Sequence, residues 1–232
     1  LYGKPALLDL LREVEKIGFL PWIRILYLHP ANIDKNLITF IAQSEKICHY
    51  IDLPLQHISD KLLKRMNRRI TKKEIYRLIE FIRKKIKNVS LRTTFIVGFP
   101  GETDDDFQEL IDFVKEIRFE HLGAFIYSRE ENTPAYNFSR QVPEKIKKER
   151  FNHLLEVQKE ISLELLKGHI GEEMEVLIDE EISPHTCLGR TEYDAPEVDG
   201  GVIIKGEDLK PGDLIRAKIV DTWEYDLLAE KA

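Results

Sequence analysis

RTTFIVGFPGET, residues 92–103, is the stretch from which the fold can be read. Its first half is rich in β-branched and aromatic residues, the composition of a strand. Phe95, Ile96 and Val97 are apolar in succession rather than in alternation, which suits a parallel strand covered on both faces. Gly98 and Gly101 allow a left-handed turn or a close approach of backbone to ligand. Asp104, Asp105 and Asp106 follow, and acidic residues in a first turn favour the helix dipole. A strand, a glycine turn and a helix start are the leading half of a right-handed βαβ unit.

The same alternation extends in both directions. Helical patterns are predicted over 6–17, 34–46, 71–87, 104–117 and 144–167, and strands over 23–28, 49–54, 91–98 and 121–128. Thr71 and Glu74 have the spacing of a capping box. Four strands alternating with helices predict the later part of an α/β barrel. Beyond Gly168 the pattern changes. The runs 174–179, 185–191, 195–206 and 213–223 are short and separated by Gly, Pro and Asp, as in a small antiparallel β-barrel of about five strands. The expected division is 1–167 for the α/β part and 168–232 for the β-barrel.

Charge divides the chain at the same place. Residues 167–232 hold seven Lys and Arg against seventeen Asp and Glu, a net −10, while the remainder is +4, giving −6 overall. A phosphate backbone is bound mainly through Lys and Arg, so nucleic acid is an unlikely partner and a basic protein the expected one. With 43% hydrophobic and 33% charged residues the composition is that of a folded globule. No apolar run approaches membrane-spanning length, so no membrane partner is expected. The chain opens at Leu1 without a Met and reads as a piece of something longer. The two cysteines, Cys48 and Cys187, lie in no paired motif, so reduced thiols in a cytoplasmic protein are expected. The seven histidines show no metal-ligand spacing.

In parallel α/β folds ligands sit at the C-terminal ends of strands, which singles out three places. Residues 52–59 end a strand in a proline and present Gln56, His57 and Ser59; Gln56 offers a donor and an acceptor, and Ser59 stands where a helix cap would. Residues 92–103 carry Thr94, Ile96 and the turn Gly98, Pro100, Gly101 and Glu102. Their acidic helix start disfavours phosphate. Residues 127–135 form a polar loop after Ile126 and Tyr127. Between the first two, Arg68 either complements a helix end or reaches a ligand carboxylate with its planar fork.

IDLPLQHIS, KRMNRR, RTTFIVGFPGETDDDF and FIYSREENTPA, in this order, resemble the methylthiotransferase branch of the radical S-adenosylmethionine (SAM) enzymes. The β-domain resembles the TRAM domain of that branch. SREENTPA and YDAPEVDG resemble members that modify an aspartate on the twelfth protein of the small ribosomal subunit. The resemblance implies a partial TIM-like radical SAM barrel followed by an OB-like barrel, with S-adenosylmethionine as cofactor and two [4Fe–4S] clusters. Gln56 would lie near ribose and methionine, Arg68 would pair with the methionine carboxylate, and Thr94 would bond the ribose. Ile96 and the turn Gly98, Pro100, Gly101 and Glu102 would wall the adenine, and Ile126 and Tyr127 would contact it.

The implied reaction is removal of a hydrogen from the aspartate β-carbon by a deoxyadenosyl radical, followed by attachment of a methylated sulfur. The cluster motif C-x-x-x-C-x-x-C of the family is absent from residues 1–232. The resemblance places it before Leu1 and implies that this polypeptide alone is inactive, with no metal bound. Two alternatives stay open: a tRNA adenosine methylthiotransferase, and a non-catalytic module that grips a protein.

Overall fold

The computed structural model describes Gly3 and residues 6–232. Three parallel strands form the first sheet, in the order β1 (Tyr50–Gln56), β2 (Ser90–Val97), β3 (His121–Ile126). The crossover from β1 to β2 contains α3 (Asp60–Arg65) and α4 (Lys72–Lys85), and that from β2 to β3 contains α5 (Asp104–Ile117). Upstream lie α1 (Leu7–Glu15) and α2 (Lys35–Gln43), and after β3 comes α6 (Glu144–Lys167). Sequence-level caps mark several of these starts. Asp34 accepts from Leu37 N–H, and full capping boxes join Thr71 to Glu74 and Thr103 to Asp106.

The alternation of side chains along each strand gives the sheet two unlike faces. Ile51, Leu53, Leu55, Leu91, Phe95 and Val97 enter the core under the helices, beside Phe113 and Phe119. The opposite face is polar along β2: Ser90 meets the Tyr193 carbonyl, and Arg92 meets Thr94. Phe125 on that face is largely exposed. Apolar cover on both faces, the expectation from residues 95–97, is therefore corrected: one face is apolar under the helices, and the other is polar, with Ser90 and Thr94 still buried and Phe125 exposed.

Residues 23–28, expected as a fourth strand, form only one parallel bridge, Ile23 to Ile47. The chain runs beside β1, and Leu28 N–H reaches the Asp52 carbonyl. However, Tyr27 adopts φ +58 and its N–H is drawn to the Asp52 carboxylate. A left-handed residue and a side-chain acceptor together stop the ladder.

The C-terminal part is a closed barrel of β4 (Glu173–Ser183), β5 (Thr186–Arg190), β6 (Val202–Lys205), β7 (Leu214–Trp223) and β8 (Asp226–Lys231), in the order β4-β5-β6-β8-β7. Val176, Ile178, Ile204, Ala217, Ile219 and Leu227 fill its own core. Strand β8 was not singled out in the sequence, and residues 195–201, expected to begin a strand, do not form one. One ladder is parallel, β6 with β8, and the others are antiparallel. Gly189 is required by this closure, because a Cβ there would lie 2.6 Å from the Leu177 carbonyl oxygen. Both cysteines are free and buried, Cys48 beside the sheet and Cys187 inside the barrel. Among the described residues no helix is long and apolar enough to cross a membrane.

Candidate functional site

The site residues are positioned by an irregularity in β1. Pro54 has no N–H to give the ladder, a defect tolerated at edges and bulges, and β1 is an edge of this sheet. The register with β2 shifts between Leu53 and Gln56. Gln56 then takes φ +73, a conformation that costs a non-glycine residue about 1–3 kcal/mol and recurs at functional sites. Its Cα partner is Phe95, next to Thr94, and Thr94 in turn faces Gly123 of β3. Gly123 leaves the space beside Thr94 free of a side chain: a Cβ there would sit at ordinary contact distance, 3.6 Å from both Thr94 Oγ1 and an Arg92 nitrogen. Ile96 pairs with Phe125 one step further along the same face.

Arg68 approaches the same strand tip. Its Nη2 donates to the Pro54 carbonyl, and its Nε is buried without a partner. Among the described residues no carboxylate pairs with it. Burial lowers the guanidinium pKa, so a ligand carboxylate would relieve a desolvated cation. Arg68 thus reaches β1 two residues before Gln56, and Gln56 pairs with Phe95, the neighbour of Thr94.

The glycine turn is held from behind. Gly98 (φ +74) and Gly101 (φ +88) are left-handed. The Lys147 side chain lies across Gly98, where a Cβ would come within 2.3 Å of its Cγ. Lys147 Nζ donates to the Tyr127 carbonyl at 3.0 Å. Pro100 is buried. Glu102 points into the fold: one oxygen accepts Gly98 N–H at 2.8 Å, the other accepts Arg150 Nη1 at 2.8 Å, and its side chain is 0% exposed. Burial pushes its carboxyl up to about 7, against the pull of Arg150. The structure thus places Glu102 as a tie behind the turn, with its side chain away from the open face.

The remaining expected contacts are also turned inward. Ile126 packs on the helix-side core. The Tyr127 ring is buried against Phe99 and Leu62, with Lys147 Nζ 5.2 Å from its centroid. The Tyr127 backbone is engaged as well, its N–H donating to the Val97 carbonyl at 2.9 Å. Ser59 makes no side-chain cap of α3; its hydroxyl donates to Asp106 at 2.8 Å. Next to it, His57 Nδ1 accepts Ser59 N–H, while Nε2 lies 3.8 Å from Glu102 with no partner. Lys147, Arg150 and Asp106 were missed in the sequence, because their partners are 20 to 48 residues away. The polar alternation Ser90, Arg92, Thr94 was the available signal for a polar open face.

A model of the radical SAM superfamily matches residues 1–114, and a TRAM domain model matches residues 170–231. The proteins called ribosomal protein uS12 methylthiotransferase RimO from Natranaerobius thermophilus and Clostridioides difficile are 50% and 46% identical to this chain over 232 and 231 residues. Over nearly its whole length the chain is similar to these methylthiotransferases. In both comparisons 99% of the chain is covered, and the chain spans 52% of each relative. Coproporphyrinogen III oxidase (HemN) from Escherichia coli, described as a radical SAM enzyme, superposes with a TM-score of 0.51 at 13% identity. That match covers 87% of this chain and 46% of the other, so the α/β part has a radical SAM fold.

The family uses S-adenosylmethionine and an iron–sulfur cluster, and the residues present fit only the first. A half-buried guanidinium with no carboxylate partner, a strained Gln56 and the missing side chain at Gly123 suit an amino-acid-bearing nucleoside. A cluster needs several thiolates. Cys48 and Cys187 belong to separate cores, and burial holds the Cys48 thiol up at about 11. Among the described residues no three His, Cys, Asp or Glu side chains converge as metal ligands.

Proposed function

We propose that this chain, divided at Gly168, is the cofactor-positioning and substrate-docking part of an enzyme that methylthiolates an aspartate β-carbon on ribosomal protein uS12. The observation that supports the reading is the approach of Arg68, which lacks a carboxylate partner, to the β1 tip that carries Gln56, beside the β2 strand that carries Thr94. Arg68 binds the methionine carboxylate, Gln56 and Thr94 hold the ribose and methionine part, and the turn 98–101 lies against the adenine with Ile96. When bound, S-adenosylmethionine supplies the radical that removes the aspartate hydrogen. The residues named here bind it, fix its orientation and exclude water.

Both clusters belong to sequence before Leu1, and the polypeptide without that sequence is inactive. The substrate is a basic cytoplasmic protein that meets the acidic outer strands of the β-barrel. Glu173, Glu175, Glu180 and Glu181 are exposed there, and their charge steers a cationic partner. The same charge disfavours tRNA.

The test uses full-length, iron-reconstituted protein, S-adenosylmethionine, a reductant and sulfide, with uS12 and tRNA as separate substrates. Mass spectrometry should show a methylthio group on one uS12 aspartate. A gain on tRNA adenosine and none on protein would overturn the substrate assignment. Tight uS12 binding with no S-adenosylmethionine affinity would identify a non-catalytic module.

A further inference from the structure

We propose that Arg92 is a positioning residue through which the β-barrel domain sets the geometry of the cofactor end of the sheet. The proposal rests on the cofactor reading of Thr94 given above.

Residues 191–199, between β5 and β6, leave the barrel and dock at the N-terminal ends of β1, β2 and β3. Arg24 donates to the carbonyls of Glu192 and Thr191 at 2.7 and 3.1 Å. Glu192 accepts His49 N–H at 3.0 Å, and Ser90 Oγ donates to the Tyr193 carbonyl at 3.0 Å. The loop ends in Asp199, whose side chain is 2% exposed. One Asp199 oxygen accepts the Tyr50 hydroxyl at 2.6 Å and Ala195 N–H at 2.9 Å. The other lies 3.1 Å from Arg92 Nε.

The second edge of the same guanidinium points up the strand. Arg92 Nη1 lies 3.3 Å from Asp52 Oδ1 and 3.4 Å from Thr94 Oγ1. A threonine hydroxyl has one proton to give and two lone pairs to accept with. Arg92 fills one lone pair of Thr94, which turns the proton outward as a donor for a ligand oxygen. Asp52 is steadied at the same time, its other oxygen accepting Tyr27 N–H at 2.8 Å. A docking peg would need only the Asp199 contact, and the loop already has five other anchors, Arg24, His49, Tyr50, Ser90 and His121. The remaining contacts of Arg92 serve the sheet's ligand end. A single rigid fork thus joins a barrel-domain carboxylate to a cofactor-site hydroxyl, 107 residues apart in sequence for the Arg92–Asp199 pair.

The test is a double-mutant cycle on full-length, iron-loaded protein, read as the Kd for S-adenosylmethionine by equilibrium dialysis. Asp199→Asn and Thr94→Ala touch different domains. Each is expected to weaken binding about fivefold, the scale of a coupling near 1 kcal/mol. The double variant should bind no worse than Thr94→Ala alone, because both act through one hydroxyl. Glu192→Gln, which alters docking without touching Arg92, should leave Kd unchanged.

Additive losses, or an unchanged Kd in Asp199→Asn, would overturn the proposal and leave Arg92 as a docking contact. An unchanged Kd in Thr94→Ala would overturn the cofactor reading itself, and the coupling with it. Should Asp199→Asn fail to fold, Arg92→Lys replaces it in the cycle. It keeps the charge, but one ammonium cannot span Asp199 and Thr94.

Discussion

Glu102 accepts the backbone N–H of Gly98 from inside the fold, at 2.8 Å. The side chain that the sequence offered as a ligand contact holds the Gly98–Gly101 turn from inside the fold. Its other oxygen is held by Arg150, which also binds Asp104 at 2.7 Å. The turn is therefore tied to α6 by a buried Glu102–Arg150 pair.

Removing one partner of such a pair leaves an uncompensated buried charge, at a cost of about 3–5 kcal/mol. Glu102→Ala should destabilise the protein by that order in urea unfolding. Glu102→Gln keeps a hydrogen-bond acceptor and should lose less.

Arg68 is expected to govern cofactor affinity with little effect on stability. Its charge-assisted bonds to a carboxylate are worth about 1.5–3 kcal/mol, so Arg68→Ala should weaken S-adenosylmethionine binding roughly 10- to 150-fold. Arg68→Lys should not restore it, because the planar fork is lost. Equilibrium dialysis checks both.

His57 should give the fold an acid-sensitive limb. Burial lowers its pKa from 6.5 to about 4, and Nδ1 serves as an acceptor for Ser59 N–H. Above pH 6.5 the ring is neutral in folded and unfolded chains, and its contribution is complete. As pH falls from 6.5 through about 4 the unfolded chain takes the proton first, and stability is lost. Glu102 acts in the opposite sense, since its raised pKa favours the folded state at low pH and that benefit disappears as pH rises through about 7. The difference between wild type and His57→Asn isolates the histidine. Between pH 7 and pH 4 the variant should lose less stability, by roughly 3 kcal/mol at most.

Gly98→Ala should be more damaging than a usual glycine replacement. It demands φ +74 of an alanine and puts a Cβ within 2.3 Å of Lys147 Cγ. Lys147 is itself buried and bonded to Tyr127, so it has little room to retreat. A loss of about 1–3 kcal/mol is expected, with weaker S-adenosylmethionine binding as the turn shifts.

Tyr50→Phe tests the seam between the two parts of the chain. It removes the 2.6 Å bond to Asp199 and should cost about 1.5–3 kcal/mol, the range for hydrogen bonds to a charged group. Hydrogen exchange should rise first in residues 191–199.

The acidic balance of residues 167–232 was legible, but its use was not. Part of that charge never faces a partner: Asp194 and Asp199 are held in the docked loop beside His121. A count of charges cannot tell a steering surface from a buried anchor. The YDAPEVDG segment, read as a family signature and as the approach to a strand, is the plug at the base of the sheet.

The sequence by itself determined the features that depend on near neighbours. These are the helix starts with the Thr71–Glu74 capping box, the left-handed glycine turn, and the change from βα to β pattern near Gly168. Each follows from residues within a few positions of one another, where backbone geometry and side-chain type decide the outcome. Only the tertiary structure decided that Gln56 would be left-handed, that residues 23–28 would leave the sheet, and that Glu102, Tyr127 and Ile126 would turn inward. It alone joined Arg92 to Asp199. Such pairings need two distant segments brought together, and the desolvated charges they bury are stabilised only once the topology has placed a partner beside each of them.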